Sequence, residues 1–298
     1  MNINGLVLLD KPPGYTSRQL TSIVSRLFRQ KKAGHLGTLD PMATGLLPVL
    51  IGQATRLAPF LESGVKEYWA VIKLGQETDT MDSEGRLISE SPVPSLKKEQ
   101  LFAILDKFQG EIEQRPPMYS AVKHQGRRLY ELARKGESVE TKPRKVTIFA
   151  ITLKNFNEKI IELVVRCSPG TYLRVLASEL GKTIGCGAHL AGLRRLKSGR
   201  FQVEQAVELS KLTPENCMQY LVPLEEILDF DTVRVGDEDG YRIRDGNTIP
   251  LKNISAGQKV FGSLIQLISG PAFAICEIIE KDGQPFLKPV RVFPSEGK

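Results

Sequence analysis

One carboxylate in this chain keeps unusual company. Asp40 lies in the run GHLGTLDPMATGLLP, residues 34–48, where glycine and apolar residues surround it and no second acid occurs. Pro41 disfavours helical backbone angles at the residue before it, so Asp40 is expected on an extended or turn backbone. A carboxylate in such surroundings has to be hydrogen-bonded, paired with a cation, or kept neutral by a raised pKa. An arginine from far along the chain would supply the cation. A plainer reading stands beside this one: Asp-Pro also makes a good helix start, with the acid as N-cap and proline at the first helical position.

Other chemistries lack their residues. There is no Gly-x-x-x-x-Gly-Lys phosphate loop and no Gly-x-Ser-x-Gly nucleophile elbow, which disfavours P-loop hydrolysis and the esterases that use that elbow. Glycoside hydrolysis needs two opposed carboxylates, and nothing identifies a partner for Asp40. Cys167, Cys186, Cys217 and Cys276 are widely spaced without a Cys-x-x-Cys, and His35, His124 and His189 are equally scattered. Neither a metal site nor a disulfide framework is expected.

The elements that must position Asp40 follow from periodicity. A strand over 5–10 meets a Pro-Pro-Gly turn. A helix comes next, with Leu20, Ile23, Val24, Leu27 and Phe28 on one stripe, a Thr16/Gln19 capping box, and Arg18, Arg26 and Arg29 turned outward. The Asp40 run ends in a buried strand at 46–51, followed by a short helix at 54–61. Residues 68–74 alternate as a strand with Tyr68, Ala70, Ile72 and Leu74 on one face. Helices are predicted over 95–108, over 128–135 closed by Gly136, and over 171–184 closed by Gly185. Strands are predicted over 146–153 and 159–166. No βαβ rhythm and no repeat is visible, so the chain reads as mixed α+β with a largely antiparallel central sheet flanked by helices. After Leu224, turn signals at 245–247, 269–271 and 282–283 separate short strands, the pattern of a small β-barrel-like module. The domains are therefore placed at 1–228 and 229–298.

Composition sets the partner class. Lys and Arg number 41 against 34 acids, a net charge of +7, and 41% of residues are hydrophobic, the make-up of an ordinary globular protein. At about 150 residues per domain the 298 residues make roughly two domains. The longest apolar runs are strand-sized, so neither a signal peptide nor a membrane span is expected, and a cytoplasmic location is the default. Positive charge is segregated: residues 1–60 carry net +5, residues 123–145 carry another +5, and Arg194, Arg195, Lys197 and Arg200 form a third cluster without an acid. Such segregation points to a positive face for a polyanion, against the blander reading of solvated helix faces.

The 34–48 run resembles the signature of the bacterial tRNA pseudouridine-55 synthases, the TruB family. Further blocks match in order: NGLVLLDKP at 4–12, KLGQETDTMD at 73–82, PPMYSAVKHQGRRLYELARKG at 116–136, CSPGTYLR at 167–174 and AHLAGLRRL at 188–196. Shorter matches within 238–293 are similar to the PUA RNA-binding module. The resemblance implies a pseudouridine synthase fold and isomerisation of uridine to pseudouridine in the T-loop of tRNA, on a flipped-out nucleotide. It implies Asp40 as the catalytic carboxylate, Arg174 as its partner and Tyr68 against the target base. It further implies substrate contacts for His35, Tyr172 and Leu193, and support of the catalytic loop by Lys11. Block 123–145 would be an RNA-gripping arm. No cofactor, no metal and no obligatory protein partner is implied, and the stand-alone form would be a monomer. The alternative on the same scaffold is a non-catalytic tRNA-binding or folding protein.

Overall fold

A computed structural model describes residues 3–120, 122–133, 135–137, 139–251 and 261–295. By packing, the chain divides into two compact units, one of Val7–Val49 with Leu61–Tyr220 and one of Met1–Leu6, Leu50–Phe60 and Leu221–Lys298.

In the larger unit the architecture is mixed α+β. The main path of its central sheet runs in the order Val207–Glu208, Gly5–Lys11, Thr44–Ile51, Ala188–Ser198, Lys66–Leu74, Ile160–Cys167, Arg144–Phe156 and Gly110–Gln114. Parallel pairs join Leu9 to Val207 and Arg195 to Gly45, and every pair from Ala188–Ser198 to Gly110–Gln114 is antiparallel. Lys66–Leu74 shows why it is central: Tyr68, Ala70, Ile72 and Leu74 point into one core with Leu163, Val165, Leu176, Leu180 and Leu190. Fully burying each such aliphatic side chain contributes about 1.5–3 kcal/mol.

Two helices brace the site. Ser17–Leu27 begins at the capping box expected from Thr16 and Gln19. Leu173–Ile184 begins after Tyr172 and ends at Gly185, whose φ of 93° only glycine adopts freely. The sequence places the helices over 95–108 and 128–135 generously; they run Lys98–Asp106 and Leu129–Ala133.

The strand Ala188–Ser198 was not anticipated, and it corrects the charge reading. Its burial alternates so that Arg195 is 1% exposed, while Arg194 forms a two-pronged ion pair with Asp10 at 2.7 and 3.0 Å. Of the third basic cluster, Arg195 is therefore buried and Arg194 is tied to Asp10, while Arg200 is exposed: a strand turns alternate residues to opposite faces, which a count of charges does not register.

Within the arm block, Lys123–His124 pairs with Arg127–Arg128 as a short hairpin ahead of Leu129–Ala133. Arg127 reaches Glu137 at 3.3 Å, and Lys135, Lys142, Arg144 and Lys145 are exposed. Arg134 lies outside the described residues.

In the smaller unit a five-stranded sheet has the order Thr232–Arg234, Leu264–Ile268, Ala272–Lys281, Gln284–Pro294 and Ile249–Pro250. Asp282 and Gly283, at φ 50° and 73°, form the tight turn that their sequence demands. The helix Asp237–Arg244 replaces the strand character expected there. Asp237, Glu238 and Asp239 in its first turn and Arg242 and Arg244 in its last complement the helix dipole.

Candidate active site

Asp40 sits on a turn, with its carbonyl accepting from the Ala43 N–H at 3.1 Å, and no helix starts at Pro41. The helix-cap alternative is thereby set aside. The loop is held from three sides. Ser17 Oγ accepts from the Leu39 N–H at 2.9 Å and donates to the Leu39 carbonyl at 3.1 Å. The Lys11 ammonium, fully buried, donates to the carbonyls of Pro12, Pro41 and Ala43 at 3.0, 2.9 and 2.6 Å. Its pKa is lowered to about 8 by desolvation, against the opposing pull of Glu84 and Asp40. The third holder is Arg195, whose Nε donates to the Leu46 carbonyl at 2.7 Å and whose Nη2 donates to the Gly37 carbonyl at 3.1 Å.

The distant arginine that Asp40 calls for is Arg174, in the first turn of Leu173–Ile184 and 4% exposed. Its Nη2 donates to Asp40 Oδ1 at 3.1 Å. Its Nε stands 2.9 Å from Oδ2 without the alignment of a hydrogen bond, so that second contact is ionic. The same guanidinium donates to the carbonyls of Thr80 and Tyr119 at 3.3 and 2.8 Å.

A second carboxylate shares this arginine. Asp82 Oδ2 lies 3.4 Å from Arg174 Nη1, both side chains being 4% exposed, and Asp82 Oδ1 accepts from Thr80 Oγ1 and the Glu84 N–H. The sequence gave Asp82 no role. Its one signal was position, as the last residue of the 73–82 block. Asp40 ends with its pKa raised: desolvation is the largest cause, the Asp82 charge adds to it, and Arg174 and Lys11 offset part of it. The arginine therefore fixes the carboxylate without restoring ordinary acidity.

Tyr68 is buried on the same side of the sheet as Leu193, 8% exposed each, in one cluster with Leu39 and Ala43. Its hydroxyl pKa is raised, first by burial, with Arg195 pulling it down. Tyr172 is half-buried, its backbone clamped by Gln114 through contacts of 2.9 and 3.3 Å. His35 is half-buried farther along the loop, Nδ1 meeting Thr21 Oγ1 at 3.1 Å and Nε2 meeting Thr38 Oγ1 at 3.3 Å. Among the described residues no cluster of His, Cys, Asp and Glu could hold a metal ion.

A solved Cbf5–Nop10–Gar1 complex superposes with a TM-score of 0.71 at 26% identity, covering 97% of this chain and 84% of that one. An H/ACA ribonucleoprotein bound to a substrate RNA matches as well, at 23% identity, and speaks for the fold alone. The architecture is the mixed α+β pseudouridine synthase fold. The TruB family pseudouridylate synthase N-terminal domain matches residues 25–173, and the tRNA pseudouridylate synthase B C-terminal domain matches 174–229. The tRNA pseudouridine synthase B of Francisella philomiragia subsp. philomiragia is 46% identical over 228 residues, 76% of each chain. That of Dechloromonas aromatica is 46% identical over 260 residues, 86% of this chain and 87% of the relative. The chain belongs to the TruB family.

Proposed function

We propose that this chain isomerises uridine 55 in the T-loop of tRNA, with Asp40 as the catalytic carboxylate acting on a flipped-out nucleotide. Family membership makes it a tRNA pseudouridine synthase, and the observation that carries the assignment of the acid is the Asp40–Arg174 pair beside Tyr68 and Leu193. The reaction breaks the N1–C1′ bond, turns the uracil and joins C5 to C1′. It needs no redox change and no outside group, so the tasks are orientation and exclusion of water. A carboxylate serves it by attacking an electron-poor C1′ or by taking a ribose proton, and both routes need the ionised form. Arg174 holds Asp40 in place for either.

Tyr68 stacks on the uracil and its phenolic oxygen helps remove the C5 proton once the new bond exists, Leu193 forms an apolar wall, and Tyr172 lies beside the base. Extruding the nucleotide costs a few kcal/mol, recovered through stacking and phosphate contacts. His35 occupies the space left behind, and Lys11 supports the loop. The arm at 123–145 grips the RNA backbone, and its contribution weakens with salt. The region 229–298, a PUA-like module after a catalytic domain of 1–228, touches a second part of the tRNA. The enzyme acts in the cytoplasm as a monomer, without an obligatory protein partner and without a cofactor or metal. No helix among the described residues is long and apolar enough to cross a membrane.

The test is to incubate purified protein with unmodified tRNA transcript and map carbodiimide-reactive pseudouridine, with Asp40→Ala alongside. Product at position 55 that disappears in the variant is expected. Undiminished product with Asp40→Ala, or product elsewhere only, overturns the reading.

A further inference from the structure

Arg195 is a buried cation with no carboxylate partner among the described residues. It is 1% exposed, and its pKa is pulled down chiefly by burial. Its guanidinium is occupied by uncharged oxygens: the carbonyls of Leu46, Gly37 and Leu36 at 2.7, 3.1 and 3.4 Å. Its charge also acts on the Tyr68 hydroxyl, favouring the ionised form. Leaving a charge uncompensated in an interior is expensive, and loop carbonyls could be tied down by a neutral donor at less cost. The full positive charge therefore calls for an anion that exists only at some stage of the reaction.

The ladder shows where that anion forms. Arg195 stands directly opposite Tyr68 across the antiparallel pair Ala188–Ser198 and Lys66–Leu74, so both side chains leave the sheet on one face. Opposed residues in a sheet hold their Cβ atoms about 4.5–5.5 Å apart, close enough for direct interaction. The other ionisable groups acting on the phenol are Cys167, its thiol pKa pushed up to about 11, and Asp40. Lys66, which acts on both Cys167 and Arg195, is itself depressed to about 8 and donates to Ser198 Oγ at 3.0 Å. Of the groups acting directly on Tyr68, only Arg195 is a cation.

We propose that Arg195 is a positioning residue that stabilises a transient Tyr68 phenolate during proton transfer, while fixing the loop that carries Asp40. The inference rests on the reading of Tyr68 as the group that meets C5. Uracil nitrogen N1, released from the sugar, takes the phenol proton. After C5 has joined C1′, the C5–H bond breaks, its electron pair restores the ring double bond, and the proton passes to the phenolate oxygen. One proton leaves Tyr68 and one returns, so the enzyme is regenerated and substrate and product keep the same atoms. Arg195 exchanges no proton. It holds the negative charge between the two transfers, the kind of preorganised electrostatic stabilisation that acts strongly where water is excluded.

The experiment is a cycle of Tyr68→Phe, Arg195→Lys and the double variant, read as single-turnover rates on tRNA transcript carrying hydrogen or deuterium at uridine C5. Thermal melting and tRNA affinity are measured on every variant. Tyr68→Phe is expected to slow turnover about 100-fold or more, the usual scale of proton-transfer catalysis. Arg195→Lys, which keeps the charge but loses the planar fork, should slow it about tenfold and raise the C5 isotope effect above that of the parent enzyme. In the Tyr68→Phe background the Arg195 change should add clearly less than it does alone, only the part owed to its hold on the Asp40 loop. If Tyr68→Phe turns over at the parental rate, the reading of Tyr68 itself fails. If Tyr68→Phe is slow but the two losses multiply and the isotope effect stays unmoved, Tyr68 keeps its role and the assignment to Arg195 is overturned. Should Arg195→Lys not fold, Arg195→Gln carries the same comparison.

Discussion

Two arginines lie buried in the same unit, and they are balanced in opposite ways. Arg174 stands between Asp40 and Asp82, two acids for one cation, with carbonyl contacts closing the cluster. Arg195 has carbonyls and a phenol around it and no acid among the described residues. At the first site burial is the main cause that raises the Asp40 pKa, with the Asp82 charge adding to it and Arg174 and Lys11 opposing it. At the second, burial likewise raises the Tyr68 pKa, and Arg195 acts against that rise. Burial thus holds a proton on both groups, and in each case a buried arginine works in the other direction, towards the anion. The loop at 36–46 carries Asp40, and its carbonyls hold Arg195, which links the two sites.

Removing the cation from the acid-rich side should do the most damage. Arg174→Met leaves Asp40 and Asp82 facing each other, and breaking a buried pair this way costs about 3–5 kcal/mol. Turnover on tRNA should fall at least about a thousandfold, roughly 4 kcal/mol of barrier, and chemical denaturation should show the stability loss. A folded, active Arg174→Met enzyme would mean that the two acids do not depend on their shared arginine.

A smaller change tests the excess of negative charge. The native state holds a proton on Asp40 more tightly than the unfolded chain does, so this group's contribution to stability declines as pH rises from the ordinary carboxylate value through the raised one. Activity depends on the opposite form and should be lost as pH falls through that raised pKa. Asp82→Asn removes the like charge and should move the acid limb of kcat to lower pH, with a drop in kcat of about tenfold from a looser Arg174. An acid limb that stays in place would mean that Asp82 does not act on Asp40.

The smallest effect belongs outside both clusters. Arg115 pairs with Glu140 at 3.0 Å, with side chains 58% and 85% exposed. Arg115→Ala should change stability by less than about 1 kcal/mol. A larger loss would show that burial is not what separates strong from weak ion pairs in this molecule.

How much of this could be read from the chain itself differs element by element. The Thr16/Gln19 box, the alternation from Tyr68 to Leu74 and the Gly185 stop are local codes, and the structure follows them. The need of Asp40 for a remote cation was also legible, because a carboxylate among glycine and apolar residues has few physical options. Asp82 and Arg195 were not legible. Each sits in a run of its own sign, where the ordinary inference is a solvated patch. What decides the matter is the face a strand presents, and Ala188–Ser198 disguises its alternation with register shifts after Leu190 and after Arg195. The helix Asp237–Arg244 was missed among the short strands expected after Leu224, its acidic first turn and basic last turn being a helix signal only once the dipole is considered.

The closeness of Gly45 to the strand that carries Arg195 has a bearing on how this enzyme can change over time. Its φ is 95°, and a side-chain carbon there would stand 2.8 Å from the Arg195 backbone nitrogen, with the Arg195 carbonyl oxygen nearer still. Gly14 and Gly136 share the left-handed backbone but face open space. Drift can try alternatives at those two places for the cost of local strain. At residue 45 even a methyl group would wedge apart the parallel pairing of Thr44–Ile51 with Ala188–Ser198, leaving mutation no intermediate step to select from.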